Sequence, residues 1–384
     1  MSALKSRLAI VAVAMALATA SACGRSVGSG TSGVSLAAPE RASAGNTIPV
    51  VLGDTALPSG TTPLELAPAS NGGCWLITDS PGGVQLWFVS ALGSLGPAVM
   101  LAKAPQTTFG SRVRVIDTGK SLVVLSGMSA YAVDYAAGSS REVTIPVQQV
   151  DAGANQARPP TLKDVQWVQD AAYRASDDSI FVALAGATSL VKLDATTLGA
   201  TSVALPTSLD DADAVAVLDD GTVGVTLHNY SQQSLDHLAL GDGGGTWSVA
   251  NVQAAGFLVS DGSTFLTGAD SFISVDPHGA STQIAPGVRF LISPPPVAAN
   301  GTLAALLDGA VAVVGRDGAV ADWTFEPRTH CAPPSARSHT PVKGESTVPA
   351  TSPPQCTPTP VALAASQGTV YVLDDLGEIG AIAA

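Results

Sequence analysis

Residues 361–373 read VALAASQGTVYVL, and this stretch decides the fold. A run of small and apolar residues leads into the turn Ser366-Gln367-Gly368, and a second run containing Val370, Tyr371 and Val372 follows the turn. Gly and short polar residues tolerate the positive φ that tight hairpin turns impose. The stretch therefore predicts two antiparallel strands joined by a tight turn.

The same pattern recurs seven times along the chain, mostly at a spacing of about forty residues. Such a period is typical of a propeller, in which four-stranded antiparallel blades are repeated around an axis. We therefore predict an all-β, seven-bladed propeller. The seven turns are Ser70-Asn71-Gly72-Gly73, Asp117-Thr118-Gly119-Lys120, Ser176-Asp177-Asp178-Ser179, Asp219-Asp220-Gly221, Ser260-Asp261-Gly262, Ala299-Asn300-Gly301 and Ser366-Gln367-Gly368.

The last blade lacks one strand. Its third strand covers residues 379–382, after which the sequence ends. Residues 47–52, TIPVVL, have the composition of a strand and belong to no other blade. Because pairing of these two segments would leave no open edge between the first and last blades, we expect the N-terminal strand to complete blade seven.

The segment LVKLDATT, residues 190–197, resembles the repeat of the YVTN and NHL-like seven-bladed propellers found in exported bacterial proteins. The resemblance in architecture covers residues 45–384. Its motifs are degenerate, so it implies the fold and not an activity. A pair of β-sandwiches or a six-bladed ring is the alternative architecture.

The N-terminus has the features of an export signal. Lys5 and Arg7 precede an apolar run over residues 8–17, and Ala20-Ser21-Ala22-Cys23 follows. This start resembles a bacterial lipoprotein signal, although Ala20 stands where such signals usually have Leu. The resemblance implies cleavage after residue 22, acylation of Cys23 with palmitate, and attachment to the extracytoplasmic side of the cell membrane. The alternative is ordinary signal-peptide cleavage and secretion.

The domain organisation follows from these segments. We predict a signal peptide over residues 1–22, a flexible tether over residues 23–44 and the propeller over residues 45–384. The tether is rich in Ser and Gly and has no periodic pattern, so it is suited to holding a folded domain away from a bilayer.

The charge balance narrows the classes of partner. The chain has 18 basic and 31 acidic residues, a net charge of −13, and loss of Lys5 and Arg7 with the signal would change it to −15. Nucleic acid and anionic lipid headgroups would be repelled at short range. We therefore expect a monomer that binds a protein or a cell-envelope ligand, and no nucleic acid.

A segment rich in Pro, Ser and Thr separates blades six and seven. It covers residues 328–360 and is predicted to form an extended surface loop. Cys331 and Cys356 would form a disulfide across it in an oxidising compartment. Cys74 would then be left over in a buried strand beside Trp75, and pairing of Cys74 with Cys356 is the alternative.

Candidate ligand-binding residues lie near the face where loops enter the innermost strands. They are Glu65, Arg112, Arg114, Asp164, Asp170, Arg174, Asp210, Asp211 and Asp213. The two arginines, at positions 112 and 114, either recognise a carboxylate or phosphate or form salt bridges with Glu65 or Asp170 in the core. The three aspartates at 210, 211 and 213 either bind a cation or a basic partner or form a solvated turn.

The first strands of the blades are mostly small and apolar, and they lack the Glu, Asn and Asp set with which gluconolactonases of similar fold hold calcium. No Gly-x-Ser-x-Gly or His-Glu-x-x-His motif is present. We therefore expect no metal, no cofactor and no catalytic residue, and favour a non-catalytic binding or scaffold module. The alternative is a propeller enzyme, either a lactonase-like hydrolase or a quinone-dependent sugar dehydrogenase.

Overall fold

The computed structural model describes residues 46–53, 56–101, 113–146, 166–206, 211–229, 234–254, 257–268, 271–286, 295–307, 309–328 and 357–384. The chain forms β-strands joined by turns over these ranges. No helix in the described part is long and apolar enough to cross a bilayer. The signal, the tether, Cys23, Cys331 and Cys356 lie outside the described residues.

The fold is a seven-bladed propeller, as predicted. Each of the first five blades is a four-stranded antiparallel sheet formed by consecutive strands. Blade one contains β3 (Thr62–Pro68), β4 (Cys74–Ser80), β5 (Gly83–Val89) and β6 (Leu95–Met100). Blade two contains β7 (Arg114–Asp117), β8 (Leu122–Ser126), β9 (Ser129–Asp134) and β10 (Ser139–Thr144). Blade three contains β11 (Val168–Arg174), β12 (Ser179–Leu184), β13 (Ser189–Asp194) and β14 (Ala200–Ala204).

The same order continues through the second half of the chain. Blade four contains β15 (Asp211–Val217), β16 (Val223–Asn229), β17 (Ser234–Gly241) and β18 (Trp247–Ala254). Blade five contains β19 (Val259–Ser260), β20 (Phe265–Thr267), β21 (Ser271–Val275) and β22 (Ser281–Pro286). Blade six contains β23 (Val297–Ala299), β24 (Thr302–Leu307), β25 (Ala310–Val314) and β26 (Val320–Thr324).

Blade seven combines the two ends of the described chain. It consists of β27 (Pro360–Ser366), β28 (Thr369–Asp374), β29 (Ile379–Ala383) and the N-terminal strand β2 (Val50–Leu52). β2 pairs antiparallel with β29, with Val50 opposite Gly380. The predicted closure by the N-terminal strand agrees with this pairing.

A second N-terminal strand extends the closure to blade six. β1 (Asn46–Thr47) pairs parallel with β26, and the amide of Ile48 donates to the carbonyl of Thr324 at 2.8 Å. Pro49 separates β1 from β2 because it has no amide hydrogen to donate to a ladder. The N-terminal segment therefore joins the outer edges of two neighbouring blades, which the sequence pattern did not predict.

Seven hydrophobic clusters hold the blades together, one between each pair of neighbours around the ring. The cluster between blades seven and one contains Leu52 of β2, Tyr371 and Cys74. The cluster between blades six and seven contains Ile48 and Phe325. Since every interface is apolar and buried, no blade boundary divides the ring into two sandwiches.

Cys74 is a free, buried cysteine, and burial raises the pKa of its thiol to about 12. The expected burial of Cys74 beside Trp75 is confirmed, whereas Cys356, its alternative partner, lies outside the described residues. The two ends of the loop at residues 328–360 contact the turn after β28. Arg328 forms an ion pair with Glu378, and the amide of Thr359 donates to Asp375 at 2.9 Å.

The turns between first and second strands, and those between third and fourth strands, lie on the same side of the ring because the strands of each blade are antiparallel. We call this side the turn face. Contacts between neighbouring blades run along it. Gln367 of blade seven donates to the carbonyl of Ser70 in blade one at 3.0 Å, and Asp219 of blade four donates its amide to the carbonyl of Gly262 at 2.8 Å.

Candidate functional site

The first strands of all seven blades surround an axial cavity of about 350 Å³. We call this cavity the channel. Its described lining is mostly Ala, Val, Leu and Pro, as the sequence predicted. The charged side chains in that lining are Glu65 of blade one, Arg114 of blade two and Asp170 of blade three.

These three side chains form one ion-pair network. Arg114 Nη1 lies 2.6 Å from Glu65 Oε1, and Arg114 Nε lies 2.9 Å from Asp170 Oδ1. The second oxygen of Asp170 accepts a hydrogen bond of 3.1 Å from the amide of Val215 in blade four. The network therefore links four consecutive blades across the channel. It is the core ion pairing that the sequence offered as the alternative to ligand recognition by Arg114.

Arg114 stays positively charged at the centre of the network. Burial alone would lower the pKa of its guanidinium, but attraction and hydrogen bonds from Glu65 and Asp170 outweigh burial and raise the pKa above its ordinary value. Nη2 of Arg114 is buried and has no hydrogen-bond partner in the structure. One cation and two anions leave the network with a net charge of −1.

β-Bulges set the positions of both carboxylates of the network, those of Glu65 and Asp170. The pairing of β3 with β4 shifts register between Pro63 and Glu65, and that of β11 with β12 shifts between Val168 and Asp170. A bulge turns the following side chains relative to the rest of the strand. Both acidic residues therefore directly follow a bulge near the start of a first strand, away from the turn face.

Arg174 does not belong to the channel network. Its guanidinium pairs with Asp177 at 2.6 Å and lies over the ring of Phe181, with 4.8 Å from Cζ to the ring centroid. Asp177 also pairs with Lys192 at 2.7 Å. These contacts hold the pKa of Asp177 well below its usual range, and hydrogen bonding to Arg174 is the largest cause. Arg174 therefore stabilises blade three near the turn face.

The acidic candidates of blade four, at positions 210, 211 and 213, do not form one exposed cluster in the described structure. Asp211 is buried in β15, and Asp213 lies at the register shift between Ala212 and Ala214. The prediction of a solvated turn is therefore wrong for Asp211, because β15 begins at Asp211, whereas the apolar run of this strand in the sequence begins only at Ala214. Asp210, Arg112 and Asp164 lie outside the described residues. Among the described residues, no group of three or more His, Cys, Asp or Glu is arranged to hold a metal ion.

The turn face carries a second set of acidic residues, which the sequence analysis did not propose as a site. They occupy the turns of blades two to six and include Asp117, Asp134, Asp177, Asp178, Asp194, Asp219, Asp220, Asp242, Asp261, Asp276 and Asp317. Asp177 pairs with basic side chains as described above, and Asp261 lies 3.5 Å from Arg316. The others form no ion pair in the described part of the chain. These residues can be grouped from the sequence only when the turn between the first and second strands and the turn between the third and fourth strands of each blade are placed on the same side of the ring.

Many of these carboxylates accept hydrogen bonds from backbone amides of their own turns. Asp194 accepts from Thr197, Asp276 from Ala280 and Asp317 from Ala319, at distances of 2.6, 2.8 and 3.0 Å. Such bonds need an acceptor and no cation. The turns are therefore fixed without a cation, and the carboxylates of Asp194 and Asp317 remain exposed.

A recess of about 850 Å³ opens on the turn face across blades one to three. Trp75 and Tyr135 stand edge to face in its wall, with ring centroids 4.9 Å apart. Asp117 accepts from Trp75 Nε1 at 2.8 Å and from Ser70 Oγ at 2.8 Å. Burial alone would raise the pKa of Asp117, but these bonds and that from Gly119 hold it below the ordinary value. The recess therefore has a rigid wall.

Comparison with solved structures identifies the same architecture in proteins of different activity. A streptogramin B lyase superposes with a TM-score of 0.54 at 10% identity, over 85% of this chain and 94% of that chain. Hydrazine synthase of Kuenenia stuttgartiensis gives 0.53 at 12% identity, over 90% and 98%. BBS1N, solved in complex with ARL6DN, gives 0.50 at 13% identity, over 88% and 97%. At these identities the likeness shows the fold alone.

No family model matches the sequence, and no curated protein matches it.

Proposed function

We propose that this protein is a non-catalytic binding or scaffold module that docks a protein or cell-envelope ligand on its turn face. In this proposal Cys23 carries a lipid and holds the propeller on the extracytoplasmic side of the cell membrane. The proposal rests on one observation: the acidic side chains on the turns of blades two to six, most of which form no ion pair in the described structure. We infer that the partner is a protein with a basic surface.

The distribution of charge supports this choice of surface. Exposed charges of one sign attract an oppositely charged partner and raise its association rate, most strongly at low ionic strength. The charged groups of the channel, in contrast, bind one another. BBS1N, which shares the fold at 13% identity, was solved with a protein partner, and we extend that mode of use to this chain as part of the proposal.

Site-specific photo-crosslinking tests the proposal. A photoreactive residue replaces Thr196, in a turn-face turn of blade three, or Thr188, in the turn at the opposite end of the same blade. We expect Thr196 to give one crosslinked envelope product that disappears at high salt, and Thr188 to give none. Equal products from both positions, or a product that is insensitive to salt, would contradict docking on the turn face.

A further inference from the structure

We propose that the recess across blades one to three binds an acidic saccharide, a sugar with one carboxylate, through Lys120 and Arg141. This inference goes beyond the docking of a basic protein on the acidic turns and does not depend on it. It rests on two basic side chains without carboxylate partners, on the free hydrogen-bonding groups around them and on the size of the recess.

Lys120 and Arg141 differ from the other basic residues of the described structure. Both side chains line the recess, both residues are exposed, and neither forms an ion pair in the described part of the chain. Every other Lys or Arg in the described ranges pairs with a carboxylate: Arg114, Arg174, Lys192, Arg316 and Arg328. The recess therefore keeps two cations available for an anionic group.

The carboxylates in the same lining do not use these cations. Asp117 accepts hydrogen bonds from the amide and hydroxyl of Ser70, from Trp75 Nε1 and from the amide of Gly119. A carboxylate has about four acceptor sites, so these bonds use the capacity of Asp117. Asp134 accepts one backbone hydrogen bond through Oδ1, whereas its Oδ2 forms none within the described ranges. Asp134 therefore remains able to accept a hydrogen bond from a ligand hydroxyl.

The rest of the lining suits a molecule rich in hydroxyl groups. The side chains of Asn71, Ser121 and Ser139 line the recess, form no hydrogen bond in the described structure, and are both donors and acceptors. The half-buried ring of Tyr135 adds apolar surface and is fixed by donation from its hydroxyl to the carbonyl of Pro97 at 2.6 Å. A sugar matches this lining because it has hydroxyls around its ring and an apolar face of C–H groups.

The spacing of the two cations allows them to share one carboxylate. Lys120 lies in the turn between β7 and β8, Arg141 lies on β10, and β9 lies between them. Neighbouring strands are about 4.8 Å apart, so two long, flexible side chains reach the space between β8 and β10.

The size and surroundings of the recess limit the ligand further. A volume of about 850 Å³ lies in the upper part of the range typical of small-molecule sites, about 300–1,000 Å³, and has room for a short oligosaccharide. The acidic turns around the recess would repel a ligand with many negative charges. The observations therefore favour one carboxylate on an otherwise neutral saccharide.

Titration of the full chain, followed by NMR signals of the ligand, tests this inference with three probes: sodium methyl glucuronide, methyl glucoside and sodium cyclohexanecarboxylate. We expect the glucuronide to bind about tenfold more tightly than the glucoside, the combined scale of two exposed ion pairs. It should also bind more tightly than cyclohexanecarboxylate, which has the charge but no hydroxyls. Binding of either comparison probe as tight as that of the glucuronide, or no binding by any probe, would overturn the inference.

Variants of the two cations locate the site. Lys120→Gln and Arg141→Gln should each weaken glucuronide binding about fivefold and leave glucoside binding unchanged. Arg316→Gln is the matched control, because it makes the same change in net charge at an exposed position of the turn face in blade six, outside the recess. It should leave glucuronide binding unchanged. Unchanged binding in the two recess variants, or an equal loss in Arg316→Gln, would overturn the inference.

Discussion

The channel and the turn face use acidic residues in opposite ways. In the channel, Glu65 and Asp170 are largely buried and both pair with Arg114. On the turn face, Asp220 and Asp317 are exposed and accept hydrogen bonds from backbone amides. A carboxylate removed from water needs a cation or several donors, whereas one in water does not. The comparison teaches that the outer charges are the ones available to a partner.

The largest expected effect comes from breaking the channel network. Arg114→Met should lower the free energy of unfolding by about 3–5 kcal/mol, because it leaves two carboxylates without their cation. The triple variant Glu65→Gln/Arg114→Met/Asp170→Asn should recover most of this loss, since no uncompensated charge remains. Urea denaturation of both variants measures the difference. An equal loss in the triple variant would show that Arg114 acts through packing and not through charge.

Asp374 is a third case, a buried carboxylate with hydrogen-bond donors on only one of its two oxygens. Its Oδ1 accepts from the amides of Leu376 and Glu378, while Oδ2 is buried without a hydrogen-bond partner. Burial raises its pKa to about 6. Because the folded-state pKa lies above the unfolded value, its stabilising contribution is complete below about pH 4 and is lost as the pH rises through about 6.

Asp374→Asn should therefore stabilise the protein at pH 7 to 8 by about 1–3 kcal/mol, and this advantage should vanish below about pH 4. Thermal unfolding of wild type and variant between pH 3 and 8 provides the measurement. An advantage that stays constant over this range would show that the ionisation of Asp374 does not cause it.

Asp117 should show the opposite dependence on pH. Its pKa is held below the ordinary value, so its contribution is present above about pH 4 and is lost as the pH falls through the folded-state pKa. Asp117→Asn should cost about 1.5 kcal/mol at pH 7, the lower end of the range for a hydrogen bond to a charged group, and less at pH 3. Denaturant midpoints at the two pH values check this. A cost that grows at pH 3 would contradict the assignment.

The smallest effect on stability is expected for the exposed turn carboxylates. Asp220→Asn retains the side-chain oxygen that accepts from Thr222 and should change the free energy of unfolding by less than about 0.5 kcal/mol. The same change should lower the yield of the crosslink from Thr196 at low salt. A large loss of stability would place Asp220 with the structural carboxylates and not with the partner surface.

The sequence predicted the ring because each blade repeats its own local signal. Gly72, Gly221 and Gly368 all adopt positive φ in the turns where it was expected, and β2 pairs with β29 as the missing-strand argument required. It did not predict β1, because a two-residue parallel strand has no periodicity of its own. The sequence predicts Glu65 or Asp170 as the partner of Arg114. Only the structure, in which blade two lies between blades one and three, shows that Arg114 contacts both.

The direct test of this account is residue-resolved labelling of carboxylates in the native protein with a carbodiimide and glycine ethyl ester. We expect Asp134, Asp220 and Asp317 on the turn face to react rapidly, and Asp170 and Asp374 to react only after unfolding. Rapid labelling of Asp170 in the folded protein, or protection of the turn-face carboxylates in the isolated chain, would contradict the account.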